Sequence, residues 1–246
     1  MHKGAVLSID PSVPGDLDLG RIPKLSQKMM RPAPSDMPTE GATKFHLEFT
    51  LAQPVALECI AELNVWRHVL HRLGLTGQAP DRYEGLAYGN VSQRTSPRGF
   101  FVSGTSTGGI PSLGAEDYCQ VLDFELAENR IRARGPVKPS SEALTHGAIY
   151  DANPHAGCVI HVHSPEIWRN ALHLGIHITD ASIAYGTPEM GRAVGIAAAR
   201  GTEGIIAMGG HGDGVLAFAG TAEQAAALLL QELEKAMIFE HNVRNS

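Results

Sequence analysis

From residue 54 onward the apolar positions fall into recognisable periods. In "PVALECIAELNVWRHVLHRLGL" (54–75), Leu57, Ile60, Ala61, Val65, Val69 and Leu73 recur at helical spacing, with Pro54 where a helix begins. Short alternating runs follow in "LAYGNVSQR", "GFFVSG" and "CQVLDFELAENRIRARG". The last predicts a hairpin turning at Glu128–Asn129, with Val121, Phe124, Leu126 and Ile131 as apolar strand positions. "SSEALTHGAIYDANP" predicts a helix capped by Ser140 or Ser141 and ended before Pro154. "GCVIHVHS" is short, rich in β-branched residues and bounded by Gly157 and Pro165, as a buried strand is. "TPEMGRAVGIAAARG" carries a Thr187 cap, Pro188 in the first turn and a Gly201 stop. Two strands around a glycine-rich turn at 209–214 precede a long final helix opened by a Thr221/Gln224 capping box. The pattern predicts an α/β fold, a central sheet with helices packed against it.

The segment before this is different. Six of the fifteen prolines lie in the first forty residues, with little periodicity, so residues 1–50 are expected to form an extended Pro-rich arm and 51–246 the folded domain. With 246 residues, 43% of them hydrophobic, the chain can bury one substantial core. Its net charge of −6 and lack of basic runs argue against nucleic acid or an anionic membrane as partner. No stretch approaches the ~18 apolar residues of a membrane span, and the N-terminal stretch lacks the apolar core of a secretory signal. Cys59, Cys119 and Cys158, odd in number and in apolar surroundings, are expected to be reduced core thiols in the cytosol.

The candidate chemistry starts from two histidines one residue apart. In a strand, residues i and i+2 share a face with Cβ atoms about 7 Å apart, so His161 and His163 can reach one ion. Two core histidines bonded to backbone are the plainer alternative; a metal demands more ligands. His211, in "GGHGDG" on a turn whose glycines permit close approach, is a third imidazole. Glu142, in the first turn of its helix, supplies a carboxylate. Three nitrogens and one displaceable oxygen suit catalytic Zn²⁺, and the residue types also admit Mn²⁺, Co²⁺ or Fe²⁺. Other His-x-His folds fit less well. An amidohydrolase barrel needs more chain than follows His161, and a cupin jelly roll would not be flanked by helices. A two-histidine iron oxygenase leaves the third imidazole unused.

Six segments carry a resemblance: "YGNVS" (88–92), "SGTSTGG" (103–109), "KPSSEALTHGAIY" (138–150), "HVHSP" (161–165), "YGTPEMG" (185–191) and "GGHGDGVLAF" (209–218). In this order and spacing they resemble the class II aldolase/adducin family, of the fuculose-phosphate aldolase type, over about residues 54–240. The resemblance implies a three-layer α/β/α domain with a mainly antiparallel sheet, and a homotetramer with active sites between subunits. It implies that His161, His163 and His211 bind zinc, and that Glu142 binds the vacant metal and swings away as acid/base when substrate arrives. It also implies an anion pocket from Asn90, Thr107, Gly108, Ser140 and Ser141; hydroxyls, an amide and backbone N–H groups can hold an anion without Arg or Lys. His146, one turn beyond Glu142, is expected to support the site without ligating.

The function so implied is a zinc-dependent lyase of aldolase or decarboxylase type. It would stabilise the enediolate of a small hydroxy-carbonyl, sugar-like substrate, phosphorylated or not. The segment after His-x-His lacks the tyrosine-bearing insert of the sugar-phosphate aldolases, which leaves family decarboxylases and dehydratases as alternatives of the same chemistry. Adducin-type members, which use the fold for protein interaction, are the alternative from another class. Retention of three histidines and Glu142 favours the enzyme.

Overall fold

The structure is a computed structural model that describes residues 43–245. The expected arm lies outside the described residues as far as residue 42. Its last part does not: β1 (His46–Leu51) is an edge strand of the main sheet, so the sheet begins ahead of residue 51.

Ten more strands follow: β2 (Gly77–Gln78), β3 (Ala87–Tyr88), β4 (Asn90–Ser96), β5 (Gly99–Ser103), β6 (Tyr118–Glu125), β7 (Arg130–Gly135), β8 (Cys158–His163), β9 (His177–Ile178), β10 (Gly204–Ala207) and β11 (Gly214–Ala219). Nine form one sheet in the order β1-β7-β6-β5-β4-β8-β11-β10-β9, and β2 pairs with β3 apart from it. Only the outermost pairings, β1 with β7 and β9 with β10, are parallel; the rest of the sheet is antiparallel. The hairpin between β6 and β7 turns where expected, with Asn129 at φ 51°, a conformation asparagine tolerates. A register shift between Val121 and Asp123 lets Val121 and Phe124, three apart, both face inward.

Helices cover both faces. On one side lie α2 (Ala143–Ala152) and α4 (Pro188–Ala198), whose Leu144, Ile149, Met190 and Val194 pack on Phe100, Val121 and Phe124. On the other lie α1 (Ala61–Arg72), α3 (Pro165–Asn170) and α5 (Ala222–Arg244), whose Leu63, Ile167 and Leu229 pack on Val91, Ile160 and Val215. This is the expected three-layer α/β/α arrangement. The Thr187 cap, with its hydroxyl accepting from the Met190 N–H, and the reciprocal Thr221/Gln224 box are both formed.

The inward face of α1 differs from the one read by hydropathy. Leu63, Arg67 and Leu70 are buried, whereas Leu57, Val65 and Leu73 are each at least half exposed. The i, i+4, i+7 stripe that packs includes a charged residue, and a pattern built from apolar residues alone rotates the helix away from it. Cys119 and Cys158 are buried thiols as expected, but Cys59 is exposed. The cap of α2 also shifts: Glu142 occupies the N-cap position and no side chain caps it.

Leu63→Ala should therefore cost about 2–5 kcal/mol, while Val65→Ala should leave stability within about 0.5 kcal/mol. Urea denaturation of the two variants checks this; equal losses would mean that α1 packs through the other face.

Candidate metal centre and anion pocket

The site is built on β8, at the middle of the sheet. All six of its residues are buried, between β4 and β11. Alternation sends Cys158, Ile160 and Val162 to the layer of α1, α3 and α5, and Val159, His161 and His163 to the side of α2. Cross-strand register sets the neighbours: Asn90 on β4 stands opposite His161, and its Nδ2 lies 3.3 Å from His161 Nδ1. Gly214 on β11 stands opposite His163 and leaves room for the third imidazole, since a Cβ there would sit 2.5 Å from His211 Cδ2.

His211 hangs from the turn between β10 and β11. One ring nitrogen from each of His161, His163 and His211 lies within 4.8 Å of the others, and all three residues are buried. Glu142, 2% exposed at the start of α2, closes the fourth side. Its Oε2 contacts His161 Nδ1, and its Oε1 is 3.6 Å from His211 Nε2. Burial holds His163 well below the ordinary imidazole range and pushes His211 down to about 4. Burial of Glu142 opposes its ionisation, but the pull of His161 and His211 outweighs it and holds the carboxyl at about 2. Three buried imidazole nitrogens within 4.8 Å of one another and a carboxylate against them form the donor set a divalent cation needs, so the residues present fit one.

The five expected anion-site residues converge as well. Asn90, Thr107, Gly108, Ser140 and Ser141 line one small pocket, and Glu142 forms part of its wall. Neither serine hydroxyl caps α2 the way the sequence suggested; Ser140 Oγ accepts from the Glu142 N–H at 3.4 Å, and both serines line the pocket. Gly108 is required by close approach: a Cβ would lie 2.8 Å from the Tyr88 backbone nitrogen and 3.0 Å from the Gly77 carbonyl oxygen. His146 is fully buried behind the site, with Nδ1 2.7 Å from Ser92 Oγ, which is itself 2.8 Å from the Tyr150 hydroxyl. Burial takes the His146 imidazole down to about 3.

Several neighbours carry no sequence signal that would have found them. The rings of Tyr83 and Tyr88 pack on His163 at 4.4 and 5.3 Å, and the Tyr83 hydroxyl donates to Asp213 beside the His211 turn. Tyr185 stacks on His211 at 4.4 Å, with Lys44 over the tyrosine ring. Arg67 donates from its guanidinium to the carbonyls of Thr107 and Gly108 at 2.8 Å each, to Pro111 at 3.2 Å, and to Ile110. Tyr88 and Tyr185 open two of the quoted motifs, "YGNVS" and "YGTPEMG", but no spacing marked their rings as neighbours of the histidines; Lys44, Arg67 and Tyr83 lie outside the motifs.

With this fold and site in view, residues 80–238 match the family described as Class II Aldolase and Adducin N-terminal domain, and the chain belongs to that family. A stretch of 65 residues is 40% identical to methylthioribulose-1-phosphate dehydratase of Xanthomonas euvesicatoria pv. vesicatoria (strain 85-10); it spans 26% of each protein. Among solved structures, the sugar-phosphate aldolase of Thermotoga maritima superimposes with a TM-score of 0.57 at 17% identity, over 77% of this chain and 96% of that one. The L-fuculose-1-phosphate aldolase of Thermus thermophilus gives 0.53 at 20% identity, over 74% and 93%. At such identities these two attest the shared fold.

The depressed imidazoles fix a pH response of the metal-free protein. A buried base with a lowered folded value stays neutral while its unfolded counterpart takes a proton, so stability falls as pH drops below about 6.5. His146 and His211, at about 3 and about 4, should each contribute up to about 1.4 kcal/mol per pH unit between pH 6.5 and 5. Urea titrations of chelator-treated protein at pH 7, 6 and 5 measure it, and a flat profile would show that these rings are open to solvent.

Proposed function

We propose that the chain is a metal-dependent lyase acting on a small, phosphorylated hydroxy-carbonyl compound. One observation carries the reading: Glu142 lines the anion pocket and at the same time touches two of the three clustered histidines. A substrate anchored by its phosphate in that pocket thus reaches the histidine cluster past a single ionised carboxylate. His161, His163 and His211 would hold the cation, zinc by the nitrogen-rich donor set. Bound there, it would supply Lewis-acid polarisation of the substrate's oxygens.

The remaining work belongs to the chain. Asn90, Thr107, Gly108, Ser140 and Ser141 bind and orient the anionic end. Glu142 would take the hydroxyl proton in cleavage and return it to the enediolate carbon, or take the proton beside the carbonyl in dehydration and pass it to the departing hydroxide. As a carboxylate it is ionised at neutral pH and so can accept either proton. The aromatic rings of Tyr83, Tyr88 and Tyr185 wall off the imidazoles and keep water from them. Carbon–carbon cleavage would begin with loss of the proton of the hydroxyl on the second carbon from the carbonyl. Dehydration would begin with loss of the proton on the carbon beside the carbonyl and departure of hydroxide from the next carbon, and decarboxylation with departure of carbon dioxide. Each forms an enediolate-type electron pair next to the carbonyl. The names of the relatives point to aldol cleavage and dehydration as the first reactions to assay, with fuculose 1-phosphate and methylthioribulose 1-phosphate as substrates. We place the enzyme in the cytosol as a homotetramer. Support for self-association comes from α1 and α5, which pack together and leave Val65, Leu73, Met237 and Ile238 exposed.

Purified protein should carry one zinc per chain, lost in His161→Ala. On the substrate so identified, Glu142→Gln should lower turnover about 10²–10⁴-fold. Unchanged turnover in Glu142→Gln would remove the proton-transfer role, and a metal-free native protein would favour the adducin-like interaction module. Light scattering on the eluting protein should give four chains per particle; a monomer would end the tetramer assignment.

A further inference from the structure

The anion pocket poses an electrostatic difficulty. Among the described residues its lining contains no Arg or Lys, and it includes the carboxyl group of Glu142. The hydroxyl of Thr107 does not help, because it donates to the Gly104 carbonyl at 2.8 Å. Donors for a phosphate must therefore come mainly from the serines and from backbone N–H groups of the loop.

Arg67 lies behind that loop, on α1, outside residues 80–238 that match the family. It is 2% exposed, and its guanidinium directs its donors to the carbonyls of Thr107, Gly108, Ile110 and Pro111. Burying a cation without a carboxylate against it is unfavourable, and a neutral side chain could fill the same space with a smaller desolvation penalty. A trans peptide points its N–H opposite its C=O. With the Thr107 and Gly108 carbonyls drawn toward Arg67, the N–H groups of Gly108 and Gly109 point away from it. Thr107 and Gly108 line the pocket and Arg67 does not, so the loop separates the two. Neither amide donates a hydrogen bond to another group among the described residues.

We propose that Arg67 is the positioning residue of the anion site: from behind the Thr107–Pro111 loop it turns the Gly108 and Gly109 amides outward to receive a phosphate-type dianion. The charge of Arg67 also acts through those two aligned peptide dipoles, offsetting the repulsion from Glu142 without placing a mobile side chain in the pocket. The proposal rests on reading the pocket as an anion site, and the two can fail separately.

Inorganic phosphate is the probe, titrated into the full-length protein as purified, labelled with ¹⁵N-glycine and ¹⁵N-serine. The amides of Gly108 and Gly109 should move together with those of Ser140 and Ser141. Arg67→Lys, which keeps the charge but cannot reach four carbonyls in one plane, should weaken phosphate binding at least about tenfold with metal content unchanged. A merely structural Arg67 would leave phosphate affinity untouched in folded Arg67→Lys, and that result overturns the proposal. So does movement of the serine amides with Gly108 and Gly109 silent, an outcome that spares the pocket and can be read from the wild type even if the variant does not fold. Shifts confined to Gly209, Gly210 and Gly212, or none at all, would overturn the anion pocket and the role of Arg67 together.

Discussion

Keeping an ionised carboxylate and several imidazoles together out of water is the constraint around which this protein is organised. Desolvation alone would protonate Glu142 and keep every neighbouring imidazole neutral. Here burial pushes His211 down to about 4 against the pull of Glu142, and Glu142, against the cost of its own burial, is held at about 2 by His161 and His211 in a space closed to solvent. Such an arrangement is unfavourable for a fold to hold empty and favourable to fill with a divalent cation, because the cation compensates the carboxylate and takes the imidazole lone pairs. The same dryness that makes the cluster hard to maintain makes any charge placed there effective.

Holding it in place falls to the best-buried part of the sheet. β8 runs between β4 and β11 with every residue inaccessible, so the backbone carrying His161 and His163 cannot shift without disturbing two ladders. The other members arrive on elements pinned to that strand. Asn90 is opposite His161 by register, and Glu142 starts the helix whose Leu144 and Ile149 enter the core. The His211 turn is joined to the Tyr83 loop through Asp213. Strand precision is thus passed to groups that would be loosely placed on turns alone.

Around this rigid centre the backbone lining the pocket is irregular. The Thr107–Pro111 loop carries no regular hydrogen-bond ladder. Besides the turn bond from the Ile110 N–H to the Thr107 carbonyl at 3.0 Å, one buried guanidinium bonds the carbonyls of Thr107, Gly108, Ile110 and Pro111. Tyr83 and Glu84 adopt left-handed conformations, φ 48° and 58°, next to His163. Strain of order 1–3 kcal/mol per residue is tolerated where surrounding bonds enforce it, and here Arg82 and Asp213 both bond the Tyr83 hydroxyl.

The sequence by itself determined the elements and the inventory of candidate ligands. Helix caps at Thr187 and Thr221, the hairpin at Asn129 and the alternation of β8 depend on residues a few positions apart, and local chemistry encodes them directly. His161, His163, His211 and Glu142 were legible because so few side-chain types can bind a metal, and the pocket residues because their motifs resemble a family. What faces what was decided only by the tertiary structure. Arg67 was invisible because a cation on a helix is ordinarily a solvated one; its buried face follows from carbonyls 40 and 41 residues away. Val65 and Leu73 looked like core for the converse reason, since hydropathy records a residue's preference and packing against α5 and β4 chooses the face. The stacking of Tyr185 on His211 and the contact of Glu142 with His161 likewise depend on distances in space that no spacing along the chain specifies.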